Sequence, residues 1–228
     1  MLIPRYFFFD DFTIFYQYFF SQPHTKCTFK PNEFLWLAED NLSKIYYIIS
    51  GIAQTYIEHE QGYKKIISFH GNNTVFPGYH KENFKLEKSI STVAITKVDA
   101  IAFSTTDFHN MMENNRQLNA QVIEWYAMYV NLMLYEIAHQ KYNNSFIKLC
   151  NLLYLLSQNK FSSQQNTISL TQEEIANILG INRVNLSKSF ARLRNEHIII
   201  THRKSIEIIN LKSLLKYCSQ ETFKHSIE

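Results

Sequence analysis

Residues 171–195 read TQEEIANILGINRVNLSKSFARLRN, and the rest of the chain is best understood outward from them. Thr171 followed three residues later by Glu174 fits a capping box, in which a hydroxyl and a carboxylate satisfy backbone N–H groups left orphaned at a helix start. Ile175, Ala176 and Leu179 then mark the inner face of a short helix, with small Ala176 permitting close helix approach. Gly180 suits the left-handed residue that ends such a helix, and Asn182 can cap the next one. Leu186, Phe190 and Leu193, at spacings of 4 and 3, give the second helix a buried face. Arg183, Val184, Ser187 and Lys188 must therefore point outward. Two helices joined by a glycine turn, the second basic on its free face, form the plan that places a helix in the DNA major groove.

Charge distribution agrees with that reading. The 228-residue chain carries a formal net charge of only +3. From Asn143 onward, however, 11 Lys+Arg stand against 6 Asp+Glu, and in the first 142 residues 12 stand against 14. A basic C-terminal part behind a nearly neutral N-terminal part is the footprint of a nucleic-acid-binding domain carried by another domain. With 46% hydrophobic and 19% charged residues the chain is globular in composition.

The N-terminus, MLIPRYFFFDDFTIFYQYFF, is strongly aromatic, but Arg5, Asp10 and Asp11 interrupt it. No apolar run approaches the roughly 20 residues a bilayer helix needs. Phe12, Phe15, Tyr16 and Phe19 instead mark one face of a short amphipathic helix, so a soluble, cytoplasmic protein without a membrane partner is expected. Cys27, Cys150 and Cys218 are far apart in sequence and make neither a zinc spacing nor an iron–sulfur cluster. Buried free thiols are the expectation, with no metal site.

Between Cys27 and Phe108 the pattern is β. IYYIISGIAQTYIEH (45–59) turns at Gly51, Gln61-Gly62 is a hairpin tip leading into KKIISFH, and STVAITKVDAIAFS (91–104) supplies two further strands. Short strands with turn signals imply a barrel or sandwich. From about Asp107 the period becomes helical. Leu118, Val122, Trp125, Tyr129 and Leu132 form a heptad-like stripe, with Ile123, Tyr126, Val130, Met133 and Ile137 beside it. One stripe can lie on the sheets while the other meets a partner helix, which makes this a candidate dimerisation helix. Asn143-Asn144-Ser145 is the expected hinge. After the two-helix motif, HIIITHRKSIEIIN (197–210) has two β-rich arms around His202–Ser205, a hairpin wing.

The order of barrel, long helix, hinge and winged helix-turn-helix resembles the Crp/Fnr superfamily of bacterial transcription regulators. The likeness runs from about Thr28 to Tyr217. It rests on LTQEEIANILGINRVNLSKSFARL and the wing, and more weakly on KPNEFLWLAEDNLSKIYYIISGIAQTYI. It implies an α+β chain: a cyclic-nucleotide-binding-domain-like jelly-roll barrel with an N-terminal helix (1–115), a dimerisation helix (116–142) and a winged helix-turn-helix domain (143–228). It implies a homodimer on double-stranded, palindromic DNA, gated by an unknown small-molecule effector on the barrel and meeting RNA polymerase if it activates. Arg183, Val184, Ser187 and Lys188 would face bases, while Thr171, Gln172, Asn182 and Asn185 would mainly meet phosphates. Arg183 can donate a bidentate pair to guanine, and Lys188 can donate to guanine or thymine. Many members place glutamate at position 184 to accept from cytosine. Val184 can offer only an apolar contact, such as to a thymine methyl, which resembles the halorespiration-regulator branch and suggests an A/T-rich half-site. Ser189 replaces a common buried aliphatic residue, which suggests slightly weaker helix packing.

Cyclic-nucleotide binders of this superfamily carry Gly-Glu and then Arg-Ser or Arg-Thr. The corresponding pairs here are Gly78-Tyr79 and Lys88-Ser89. Without the carboxylate and the bidentate guanidinium, cyclic AMP is disfavoured. The cluster cysteines of the fumarate–nitrate branch are also missing, and scattered histidines such as His24 and His80 are weak grounds for haem. By resemblance an effector would occupy the gap between barrel and long helix, with Tyr79, Lys81, Lys88, Tyr126 and Tyr129 as wall residues. The alternative is a ligand-binding barrel whose C-terminal domain contacts protein instead of DNA.

No GxSxG, P-loop, GxGxxG or HExxH motif occurs. Glu173 and Glu174 are accounted for by the helix cap and by solubility, and His59, His70 and His80 cannot share a strand. Catalysis is not expected.

Overall fold

The computed structural model describes residues 3–38, 40, 43–76, 90–158 and 166–222. These divide into two compact units, residues 7–129 and residues 1–6 with 130–228. The division falls inside the long helix, at Tyr129–Val130, not at either end of it.

Among the described residues the first unit contains nine strands: β1 (Phe7–Phe8), β2 (Thr25–Phe29), β3 (Phe34–Trp36), β4 (Lys44–Ser50), β5 (Ala53–Glu58), β6 (Lys64–His70), β7 (Thr74–Phe76), β8 (Ile90–Ala94) and β9 (Val98–Ser104). They form a jelly roll of two sheets ordered β1-β6-β5-β8-β3 and β2-β9-β4-β7. The expected barrel is therefore corrected to two sheets that do not close on one another. Chain neighbours separate between them: β8 pairs with β5 and β3, while β9 pairs with β2 and β4. Between the sheets lie Leu35, Tyr46, Ile48, Ala53, Ala94, Val98, Ala100 and Ala102.

The two faces of β4 explain its nearly continuous apolar run. Tyr46 and Ile48 enter the shared core, while alternate residues Ile45 and Tyr47 are buried on the opposite face. There they meet helices. A 3-10 turn (Thr13–Phe15) leads into α1 (Tyr16–Ser21), whose Phe19 ring lies 4.7 Å from Tyr47, 5.7 Å from Phe103 and 6.4 Å from Phe108. Phe108 belongs to α2 (Thr105–Asn114), capped by the Ser104 side chain accepting from the Asp107 N–H. The aromatic N-terminus is thus the cover of the four-stranded sheet. Phe12, Phe15 and Phe19 are buried as the spacing predicts, but Tyr16 remains exposed.

The expected turn at Gly51 has φ +92°, and a Cβ there would fall 2.1 Å from the Lys97 carbonyl oxygen. No side chain fits this backbone crossing. At the β5–β6 hairpin tip, Gly62 also has positive φ, but nothing crowds it.

Helix α3 spans Arg116–Tyr142. Leu118, Val122, Trp125 and Leu132 are buried and Tyr129 is half-buried, as the first stripe predicts. Of the second stripe, Ile123, Tyr126, Val130 and Ile137 are exposed, joined by Leu134, while Met133 is half-buried.

The second unit holds α4 (Ser145–Ser157), β10 (Thr167–Ile168), α5 (Gln172–Leu179), α6 (Arg183–Asn195), β11 (Ile199–Thr201), β12 (Ile206–Ile208) and α7 (Leu211–Leu215). Asn144 in the expected hinge caps α4, its side chain accepting from the N–H groups of Phe146 and Ile147. The wing is a β11–β12 hairpin, and β10 joins it as a third antiparallel strand that the polar sequence ahead of it did not announce.

Buried polar groups in this unit are tied together. The Tyr6 hydroxyl donates to Glu136, and the Tyr135 hydroxyl lies 3.1 Å from that of Thr222. Asn151 donates to Ser219 Oγ at 2.6 Å and accepts from the Ser219 N–H at 2.9 Å. Cys150 is buried, as expected of a free thiol, whereas Cys27 and Cys218 are only partly so.

Candidate nucleic-acid interface

The two-helix motif forms as its local chemistry requires. Thr171 Oγ1 accepts from the Glu174 N–H at 3.2 Å, and Glu174 Oε2 accepts from the Thr171 N–H at 2.7 Å. Gly180 adopts φ +61° and ends α5 in the left-handed conformation. Asn182 Oδ1 accepts from the Asn185 N–H at 2.8 Å and starts α6. Leu186, Phe190 and Leu193 are buried. The hydroxyl of Ser189, also buried, donates to the Asn185 carbonyl at 2.9 Å, so the replacement of an aliphatic residue leaves no unsatisfied group.

The opposite face of α6 is open. Arg183, Val184, Asn185, Ser187 and Lys188 are all exposed, as are the cap Asn182 and Gln172 at the start of α5. Val184 is 63% exposed, a large apolar side chain in a polar row that no intrachain packing explains. Thr171 differs from the rest: it is half-buried, and its hydroxyl also donates to Glu174 Oε2 at 2.7 Å. Its first task is therefore the cap.

Three further exposed charges are notable in this unit. Arg203 and Lys204 are exposed at the wing tip, closed by the His202 N–H donating to the Ser205 carbonyl at 2.8 Å. Their position between two β-rich arms was the available signal. Glu173 is the third. Its Oε1 lies 2.6 Å from Arg183 Nη2, a pairing across the turn that helix periodicity within either segment could not reveal.

Farther along α6, the Arg192 guanidinium lies 4.0 Å from the ring centre of Phe146 and 4.9 Å from that of Tyr217. Glu196 accepts from the Tyr217 hydroxyl at 2.7 Å and from Arg192 Nε at 3.0 Å. Those two hydrogen bonds hold its carboxyl below the usual range. This anchor fixes α6 against α4 and leaves its N-terminal turns projecting.

Of the expected effector residues, Tyr79, Lys81 and Lys88 lie outside the described residues. Tyr126 is exposed on α3. Tyr129 turns inward, its hydroxyl 3.2 Å from Ser68 Oγ, which is 3.0 Å from Nε2 of fully buried His70. Trp125 stacks on Tyr129 at 5.2 Å, and Phe8 stacks on His70 at 5.6 Å. Burial pushes the Tyr129 phenol above its ordinary pKa, so it stays a neutral hydrogen-bonding group. Ser68 and His70 project from one face of β6, at the i, i+2 spacing that could have drawn attention to them.

Residues 147–217 match the Crp-like helix-turn-helix domain, and residues 26–115 match the cyclic nucleotide-binding domain. The two matches occur in the order, and over the elements, just described. The chain belongs to the Crp/Fnr superfamily of bacterial transcription regulators. It is accordingly a DNA-binding transcription regulator of the Crp/Fnr type with an effector-binding domain. It is 26% identical over 199 residues to the transcriptional regulatory protein btr of Bordetella pertussis, covering 82% of this chain and 78% of the relative. Its fold is that of FixK2 from Bradyrhizobium japonicum, with a TM-score of 0.71 and 14% identity over 86% of this chain and 98% of that one. OCPA-complexed CprK matches with a TM-score of 0.66 and 18% identity over 83% and 89% of the respective chains. Regulators of this kind are normally not enzymes. Among the described residues no helix is long and apolar enough to cross a membrane.

Proposed function

We propose that this regulator works as a homodimer that inserts α6 of each subunit into successive major grooves of a palindromic, A/T-rich operator. The exposed row Arg183, Val184, Ser187 and Lys188, backed by buried Leu186, Phe190 and Leu193, carries the reading. Arg183 and Lys188 donate to base edges, and Val184 packs on a thymine methyl. Gln172, Asn182 and Asn185 meet phosphates, with Thr171 acting chiefly through its cap. Val184 is also the residue that favours kinship with the halorespiration branch. Dimerisation uses the exposed residues Ile123, Tyr126, Val130, Leu134 and Ile137 along α3, which a partner helix would cover. Two-fold symmetry then sets half-sites about one helical turn, roughly 34 Å, apart.

The effector is a small molecule other than cyclic AMP, because Tyr79 and Lys88 stand where the carboxylate and guanidinium would be needed. Ser68, His70 and Tyr129 offer hydrogen bonds and Trp125 an aromatic wall, and the similar structure of CprK complexed with OCPA supports the idea of a bound ligand. The effector shifts the population of DNA-competent dimers. No metal or haem is required for this reading, and contact with RNA polymerase follows if the regulator activates.

Selection from randomised duplex DNA, with and without cell extract, tests the proposal. An enriched palindrome is expected, bound with steep salt dependence through counterion release. Recovery of no enriched palindrome under either condition overturns it.

A further inference from the structure

We propose that Glu173 is a specificity-determining residue that restrains and orients Arg183, an inference that rests on the placement of α6 on DNA. Glu174 already serves the capping box through Oε2, whereas Glu173 is 65% exposed and reaches across the turn to Arg183, itself 74% exposed. The pair joins the second residue of α5 to the first residue of α6.

Two consequences follow from the charges. An unpaired guanidinium binds any phosphate, and phosphates occur on every sequence. With Glu173 beside it, Arg183 presents a neutralised pair, and the carboxylate is repelled by the backbone of any duplex. Non-specific binding is therefore weakened. Guanine is treated differently. The guanidinium has five N–H donors, so one edge stays on Glu173 while another presents an aligned fork to O6 and N7. The ion pair thereby holds the plane of the fork before DNA arrives, reducing the ordering cost of that contact. Glu173 thus lowers affinity for arbitrary DNA more than for the operator.

The test uses the full chain and fluorescence anisotropy on the selected operator and on an unrelated duplex of equal length, from 50 to 300 mM salt. Glu173→Gln should tighten binding to the unrelated duplex, steepen its log–log salt slope by about one per subunit, and lower the operator preference by about tenfold. Glu173→Asp keeps the charge on a side chain too short for the same pairing. It should lose preference with little change in salt slope. In an Arg183→Ala background, Glu173→Gln should no longer alter the preference. Matching thermal melts establish that the variants fold. An unchanged preference in Glu173→Gln, or an equal loss in the Arg183→Ala background, overturns the inference while leaving the DNA reading intact. A wild-type chain without any operator preference overturns both.

Discussion

The side-chain amide of Gln140, near the end of α3, donates to the Leu179 carbonyl at 2.9 Å, the last residue of the first helix of the DNA-reading motif. Lys148 of α4 donates to both the side-chain oxygen and the main-chain carbonyl of Gln140, at 2.8 and 3.2 Å. Gln140 therefore couples three helices of the C-terminal unit through one side chain. Removing it strips an acceptor from largely buried Lys148 and a donor from a helix-end carbonyl. Gln140→Ala should cost about 1–3 kcal/mol. At this chain length that lowers Tm by roughly 2–12 °C. Gln140→Glu keeps the acceptor for Lys148 but loses the amide donor, and should fall between the two. Calorimetry of the three proteins decides it, and equal Tm values for wild type and Gln140→Ala would refute the coupling.

Gly51 and Gly62 both have positive φ, yet their surroundings differ. Gly62→Ala meets open space and should cost only the left-handed backbone penalty, about 1–2 kcal/mol. Gly51→Ala adds a collision with the Lys97 carbonyl and should cost at least twice as much, visible as low soluble yield or early urea unfolding. Equal stabilities of the two variants would contradict the close β4–β9 crossing.

What could be read from sequence tracks the range of the interactions involved. The α5–α6 motif was legible because cap, turn glycine and buried face all lie within 25 residues, each specified by near neighbours. Strands β4, β5, β6, β8 and β9 were legible one by one, but not their division between two sheets, since consecutive β8 and β9 pair with distant strands in different sheets. Parallel β1, two residues inside an aromatic run, offers no period to detect. At the proposed effector site the sequence named Tyr129 as a wall residue but drew no attention to Ser68 or His70. Ser68 and His70 gain meaning when β6 is brought against α3, and that is a tertiary event. Glu173 looked like a solubilising charge until the turn carried it to Arg183.

Asp99 makes a pH prediction. Its carboxylate accepts from Thr28 at 2.8 Å, Lys97 at 3.0 Å and Ser50 at 3.4 Å. The Thr28 hydrogen bond, followed by that from Lys97, holds its pKa below the ordinary aspartate value. A depressed folded-state pKa stabilises the fold above the unfolded value, near 3.9, and that stabilisation is lost as pH falls from there through the folded value. Asp99→Asn should thus lower Tm at pH 7, and the gap to wild type should close below about pH 4. A gap that is constant from pH 7 to pH 3 would show that the charge of Asp99 contributes nothing.

The exposed stripe on α3 predicts the oligomeric state. A Val130→Glu, Ile137→Glu double variant places charges at two exposed apolar positions of α3. Each unit should keep its fold by circular dichroism while sedimentation velocity shows a monomer. Operator affinity should drop by at least 100-fold, because a lone subunit reads one half-site. A double variant that sediments as a dimer would move the interface off α3.

Val184 allows the readout itself to be redirected. It is the one apolar side chain in the exposed row of α6, and a methyl contact to thymine is the discrimination available to it. Val184→Glu supplies an acceptor for the cytosine N4 amine, so the base preferred at that operator position should change from thymine to cytosine, with about 1–3 kcal/mol of discrimination. The neighbouring variants separate the remaining roles. Arg183→Ala and Lys188→Ala should each relax one position of the operator, and together they should remove sequence preference, leaving salt-sensitive binding and an unchanged melting curve. Asn182→Ala should weaken all sequences alike and destabilise the domain by about 1 kcal/mol through loss of the α6 cap. Selection on the Val184→Glu variant provides the decisive comparison. If its operator is the wild-type operator at every position, the N-terminal turn of α6 does not face the bases, and the docking of the helix must be reassigned.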